Sequence, residues 1–214
     1  MIALFGGTFD PVHLGHINMA TECANTLGLS ELRFLPNALP VHKQGPAVST
    51  DDRLAMLQLA TASDPRFTID RRELERDTPS YSLLTLQEVK AEHPQCTIMF
   101  LMGMDSFNSL DKWYRWQEII TLCHIVVYQR PGDAFAPSEA LQDYLTHARC
   151  TEPAQLATEP GGLCYFLPGQ PFEAASSTIR NAIKRRQVVE PWLNKTVLDY
   201  IQAHQLYLSS SDNP

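Results

Sequence analysis

The chain has 214 residues, 44% hydrophobic and 19% charged, with a mean hydropathy of -0.20 and a formal net charge of -7. A chain of this length can bury a substantial core, and its near-average composition excludes a disordered or fibrous protein. Its acidity repels a nucleic-acid backbone, no apolar run is long enough to cross a bilayer, and the first residues lack the pattern of a signal peptide, so a cytoplasmic protein with neither nucleic-acid nor membrane partner is expected.

Ile2 to Phe5 and Leu32 to Leu35 read as short buried strands flanking Leu14 to Leu27, whose apolar spacing is helical and which Gly28 can stop. Pro36 to Pro46 forms a long polar loop, after which Ser49 or Thr50 caps a helix running to about Ser63. Phe67 to Asp70 reads as a strand, Ser80 to Glu92 as a helix, and Thr97 to Met102 and His124 to Tyr128 as apolar strands. Beyond Arg130-Pro131-Gly132 come a helix from Pro137 to Ala148, a strand from Leu163 to Leu167, and helices over Ser177 to Arg186 and Asn194 to His204. Strands alternating with helices predict an α/β fold, a doubly wound and mostly parallel sheet with helices on both faces. No repeat or linker composition divides the chain. A single domain over 1–214 is expected, with an α/β core over 1–175, a small C-terminal helical part over 176–208 and a frayed tail over 209–214. Five cysteines without a C-x-x-C pair read as reduced, mostly buried thiols.

The densest chemistry lies where the first strand enters the first helix, Gly6-Gly7-Thr8-Phe9-Asp10-Pro11-Val12-His13-Leu14-Gly15-His16. Ligands of doubly wound sheets collect at the carboxyl ends of strands, and a glycine turn there lets backbone N–H groups approach a phosphate. Neither the G-x-G-x-x-G fingerprint nor a P-loop is present. His13 and His16, three apart, share a helix face near an anion-attracting helix N-terminus, and Gly15 leaves room for a bound group. A protein-held metal would need a third ligand, which neither an H-E-x-x-H motif nor a nearby carboxylate or thiolate supplies, so none is expected. The alternative is an ordinary helix started by Asp10-Pro11 with surface histidines. Farther on, Ser176-Ser177-Thr178-Ile179-Arg180 offers hydroxyls, helix N–H groups and an arginine to a polyphosphate, or else a capped surface helix. Lys184, Arg185 and Arg186 read as a solvated face.

The stretch from Gly6 to His16 resembles the nucleotidyltransferase signature G-[GST]-[FT]-F-D-P-x-H-x-G-H, and Ser176 to Arg180 is similar to that superfamily's I-S-S-T-x-x-R element. Ala175 stands where Ile is usual, and one residue instead of two precedes Arg180. Between these signatures, Pro40-Val41-His42-Lys43, the segment Pro79 to Leu86, Gly103-Met104-Asp105-Ser106, Trp113-Tyr114 and Arg130-Pro131-Gly132 resemble the bacterial nicotinate-nucleotide adenylyltransferases. Val41 replaces a second proline and Ser82 a frequent threonine. The resemblance implies a Rossmann-like fold and transfer of AMP from ATP to nicotinate mononucleotide, giving nicotinate adenine dinucleotide and pyrophosphate. It implies that His13, His16 and Arg180 are catalytic, and that Gly6, Gly7, Thr8, Phe9, Gly103, Asp105, Ser176, Ser177 and Thr178 join them at ATP. His42, Lys43, Tyr81, Ser82, Thr85, Trp113, Tyr114 and Arg130 are implied at the acceptor. Mg²⁺ is expected on the ATP phosphates, and the protein as a monomer or small homo-oligomer.

Simple chemistry accords with several of these roles. Trp113 suits stacking on a pyridine ring, with core packing as its alternative, and the helix start near Thr85 offers N–H groups to a carboxylate. His42 and Lys43 sit on the long polar loop, where cations are usually just solvated, and from which they could reach an acceptor phosphate. Asp105, just past a strand and a glycine, can meet ribose hydroxyls or cap a helix. Sibling transferases such as phosphopantetheine adenylyltransferase or a cytidylyltransferase share the opening motif, and a non-catalytic nucleotide sensor is the reading outside the enzyme class.

Overall fold

Apolar residues run almost unbroken through the predicted strands, as they must when a sheet is covered on both faces. The computed structural model describes residues 1–38, 46–77, 79–172 and 174–208; Pro40-Val41-His42-Lys43 and the tail 209–214 lie outside the described residues. Strands Ile2–Gly7 (β1), Leu32–Pro36 (β2), Phe67–Ile69 (β3), Ile98–Gly103 (β4), His124–Gln129 (β5), Arg149–Cys150 (β6) and Cys164–Pro168 (β7) form one sheet in the order β3-β2-β1-β4-β5-β7-β6. Every pairing among the described residues is parallel, so the sheet is wholly parallel where the sequence promised only mostly parallel.

The helices are Leu14–Thr26 (α1), Thr50–Thr61 (α2), Arg72–Glu75 (α3), Ser82–Glu92 (α4), Met104–Phe107 (α5), Trp116–Leu122 (α6), Glu139–Ala148 (α7), Ser176–Lys184 (α8) and Lys195–Ala203 (α9). Strand side chains alternate between two apolar cores, one on each face. Ala3, Phe5, Met99, Leu101 and Val126 pack with residues of α1, α2, α8 and α9, while Ile2, Leu4, Ile98, Phe100 and Ile125 pack with α4, α5, α6 and α7. Through Ile179, Ala182, Val197, Leu198 and Ile201 the C-terminal helices share the first of these cores.

Local chemistry sets the ends of several elements. The Ser49 hydroxyl accepts the Asp52 N–H at 3.1 Å and caps α2 as expected, and Gly28, at φ +58, turns the chain after α1. Short elements escaped the sequence reading, namely α3, α5, α6 and β6. Each is too brief to display its period, and α6 is entered through Arg115 in a left-handed conformation, φ +51. All five cysteines are free, with Cys23, Cys123, Cys150 and Cys164 buried. No helix among the described residues is long and apolar enough to cross a membrane.

Strand order reverses at β1, which pairs with β2 on one side and β4 on the other. Phe5 lies opposite Leu101, so both strands end two residues later in a glycine, Gly7 and Gly103. A crevice at such a switch point is where doubly wound sheets take their ligands.

Candidate active site

Gly7 is required by the ring two residues on, because a Cβ at Gly7 would come within 2.9 Å of Phe9. Phe9 adopts φ +49 and its buried ring packs edge-on against Phe5 at 5.5 Å and Phe34 at 5.6 Å. The ring is a core group, so any part of Phe9 at ATP falls to its main chain. The turn from Thr8 to Val12 lies outside helix and strand and is held from outside. Arg53, wholly buried, donates through Nη1 to the carbonyls of Thr8 at 2.8 Å and Asn37 at 2.9 Å. The Ser176 hydroxyl donates to the Pro11 carbonyl at 3.0 Å, and Arg180 Nη1 donates to the Asp10 carbonyl at 2.6 Å. The Asp10 carboxylate accepts from the Ala47 N–H at 2.7 Å and the Tyr207 hydroxyl at 2.7 Å. The Ser176 side chain is therefore spent on shaping this turn, whereas Ser177 and Thr178 stand exposed in the first turn of α8. Arg180 has one N–H on the carbonyl, and its fork retains donors for an anion.

His13 precedes α1 with extended backbone, and its N–H donates to His16 Nδ1 at 3.3 Å, so the His16 ring caps the helix. The two ring centroids are 3.8 Å apart. On its other face His13 stacks on Phe172, at 5.3 Å and 7° between planes, and its buried Nδ1 has no close hydrogen-bond partner among the described residues. Burial, then the Arg130 guanidinium, holds the His13 pKa down at about 4. Burial, then His13, then Arg130 push His16 well below 6.5. Both rings are neutral near pH 7 in the free protein, and because His16 Nδ1 accepts, its proton resides on Nε2.

One expectation changes here. Gly15 leaves no room for a ligand, since a Cβ there would sit 2.6 Å from the Phe172 ring, which fills that space. Arg130, expected with the acceptor residues, lies near enough to lower both histidines; its Nη2 is 3.2 Å from Asp133 and its Nη1 donates to the Phe172 carbonyl at 3.5 Å. Among the described residues no group of three or more His, Cys, Asp or Glu is placed to hold a metal ion.

Beyond the crevice, Tyr81 at the start of α4 meets the exposed Tyr114 ring at 4.7 Å. Trp113 is half-buried, its ring edge-on to Phe100 at 6.0 Å, so it packs on the core and still shows a face. Ser82 opens α4, and Asp105 stands exposed in the first turn of α5, whose cap position is Gly103, so the capping alternative for Asp105 fails. The Thr85 side chain turns inward: it is wholly buried, donates to Glu73 Oε1 at 2.8 Å and accepts from Arg76 at 3.3 Å, so any part of Thr85 at a ligand falls to its main chain. Sequence reasoning missed Arg53, Phe172 and Tyr207; the only local signal was an arginine inside an apolar helix stretch.

A profile described as cytidylyltransferase-like matches residues 4–183. The Pseudomonas aeruginosa (strain UCBPP-PA14) protein named "Probable nicotinate-nucleotide adenylyltransferase" is 44% identical over 207 residues, 96% of each chain. Its namesake in Aeromonas salmonicida (strain A449) is 38% identical over 206 residues, again 96% of each. In fold, the chain is similar to Plasmodium falciparum nicotinic acid mononucleotide adenylyltransferase complexed with NaAD, at a TM-score of 0.71 and 19% identity over 96% of each chain.

Proposed function

The chain belongs to the nicotinate-nucleotide adenylyltransferases of the cytidylyltransferase-like family, and from that membership we propose that it transfers AMP from ATP to nicotinate mononucleotide in NAD biosynthesis. A phosphate oxygen of the mononucleotide attacks the α-phosphorus of ATP, the bond to the β-phosphate oxygen breaks, and nicotinate adenine dinucleotide and pyrophosphate leave. The attacking phosphate is already ionised near neutral pH, so no protein nucleophile is required. The tasks left to the protein are alignment of two anions and stabilisation of charge on the transferring and leaving groups.

The observation that carries this reading is the stacked His13–His16 pair at the switch point, with Arg130 and Arg180 on the phosphate side and the Tyr81–Tyr114 pair beyond. His16 presents an Nε2–H donor to a phosphate oxygen, and His13, whose Nδ1 has no close partner among the described residues, has hydrogen-bonding capacity in reserve. Bound phosphate raises both histidine pKa values, but rings this close resist carrying two charges, so one proton is shared by the pair. Exposed Ser177, Thr178 and Asp105 complete the nucleotide side, and Trp113, Tyr114, Tyr81 and the N–H groups opening α4 receive the pyridine and its carboxylate. Mg²⁺ enters on the ATP phosphates, as part of that substrate.

The test is to mix the protein with MgATP and each candidate acceptor and measure pyrophosphate and dinucleotide. Product is expected with nicotinate mononucleotide. Turnover only with phosphopantetheine, or only with CTP as donor, would replace this reading by a sibling activity, and ATP binding without turnover would make the protein a sensor.

A further inference from the structure

Of the groups holding the turn before α1, one comes from the far end of the chain and belongs to no motif. Tyr207 lies just past α9, and its hydroxyl reaches Asp10 Oδ1 at 2.7 Å across 197 positions of sequence. Gln205 and Tyr207 take left-handed backbone, φ +54 and +66, which residues with a side chain hold only where their surroundings impose it. Leu206 and Tyr207 pack on the same apolar core as α1 and α2.

Asp10 is 4% exposed, and its three acceptors are each engaged by a different part of the chain. Oδ2 takes the Ala47 N–H, the carbonyl takes Arg180, and Oδ1 takes Tyr207. Without the phenol, a buried carboxylate oxygen loses its donor and the turn loses its C-terminal tether. Asp10 stands three residues before His13, so a shift of this turn moves the start of α1 and both rings with it.

We propose that Tyr207 is a positioning residue for adenylyl transfer, its hydroxyl latching the C-terminal segment to Asp10 and so fixing the turn that delivers His13 and His16 to the phosphates. The inference rests on the proposed reaction for its turnover readout. Burial, then Asp10, pushes the phenol pKa up, so Tyr207 stays a donor throughout the neutral range. Tyr200, on α9, supplies an internal control, because its hydroxyl makes the same kind of bond, at 3.1 Å, to Asp52 of α2 instead of to a residue of the turn.

Tyr207→Phe removes one oxygen and keeps the ring. The expected result is a kcat lowered about tenfold or more, since small misplacements of aligned groups are costly. The KM for nicotinate mononucleotide stays within about twofold, the pattern of a lost transition-state contact. Tyr200→Phe, with a similar loss of thermal stability, keeps wild-type kcat. Wild-type kcat in folded Tyr207→Phe, or equal kcat losses in the two variants, overturns the latch. A wild-type protein that makes no dinucleotide defeats the proposed reaction instead, and calorimetric titration with α,β-methylene-ATP then decides the latch. It requires weaker binding to Tyr207→Phe than to Tyr200→Phe, and equal affinities overturn it.

Discussion

His16 works through both ring nitrogens. Nδ1 accepts the His13 N–H and starts α1, which leaves Nε2–H as a donor, directed at phosphate in the proposed reaction. His16→Ala is expected to lower kcat roughly 10²–10³-fold, the usual cost of removing one such donor, while the protein still folds. Steady-state kinetics with a melting curve on the same sample checks it, and near-normal turnover would contradict the role. Trp113, with one edge on Phe100, is expected to act on the acceptor alone: Trp113→Ala raises KM for the pyridine nucleotide more than for ATP. Equal rises in both would remove it from the acceptor site. The histidines were legible in sequence because their surroundings are contiguous. Arg53, Phe172 and Tyr207 were not, since each reaches the turn or the rings from 40 to nearly 200 residues away, and nothing local marks such a contact. Thr85 shows the converse, a residue inside a contiguous motif whose hydroxyl folds inward to Glu73, a direction no short window reveals.

At the level of elements, strands buried on both faces were readable as unbroken apolar runs and several helices by their apolar spacing, and caps fixed some of the ends. Ser49 is the clearest case, accepting the Asp52 N–H and donating to the Asp52 carboxylate at 2.6 Å. Ser49→Ala is expected to cost about 1 kcal/mol of stability, read as a lower denaturation midpoint. An unchanged midpoint would mean that α2 is fixed by packing and by Arg53 alone. The one-turn α3 and the two-turn α6 depend on tertiary contacts for their existence, and those are absent from any short window. The surroundings of Arg130 were hidden for a similar reason: it follows β5, and only the strand order β4-β5-β7 shows that this loop opens beside the histidines.

For the molecule as a whole, three histidines held neutral by the fold, His13 and His124 buried and His16 half-buried, make acid a stress. His124 is wholly buried between two fixed partners, Nε2 donating to the Glu159 carbonyl at 2.9 Å and Nδ1 accepting the Leu163 N–H at 3.1 Å. Burial lowers the pKa of His13, His16 and His124 in the folded state, so below pH 6.5 the unfolded chain binds protons that the folded chain refuses. Their contribution is fully present above pH 6.5 and is lost as the pH falls toward the folded values, about 4 for His13. Denaturation midpoints measured from pH 7 to pH 5 should fall, by roughly 1–2 kcal/mol for each strongly shifted ring. A flat profile would mean that the rings charge freely when folded.

The all-parallel sheet has a last consequence, for how the chain tolerates being lengthened. Every strand runs the same way, so connections entering strands gather at one rim and connections leaving them at the other. Only the second rim carries the chemistry. A short glycine-serine insert between the exposed Pro94 and Gln95, ahead of β4, should leave kcat unaltered, while the same insert between Pro131 and Gly132, after β5, should depress it. Matching losses at both places would show that the two rims are not independent. If they are, this fold can acquire new surface at one end without disturbing catalysis at the other.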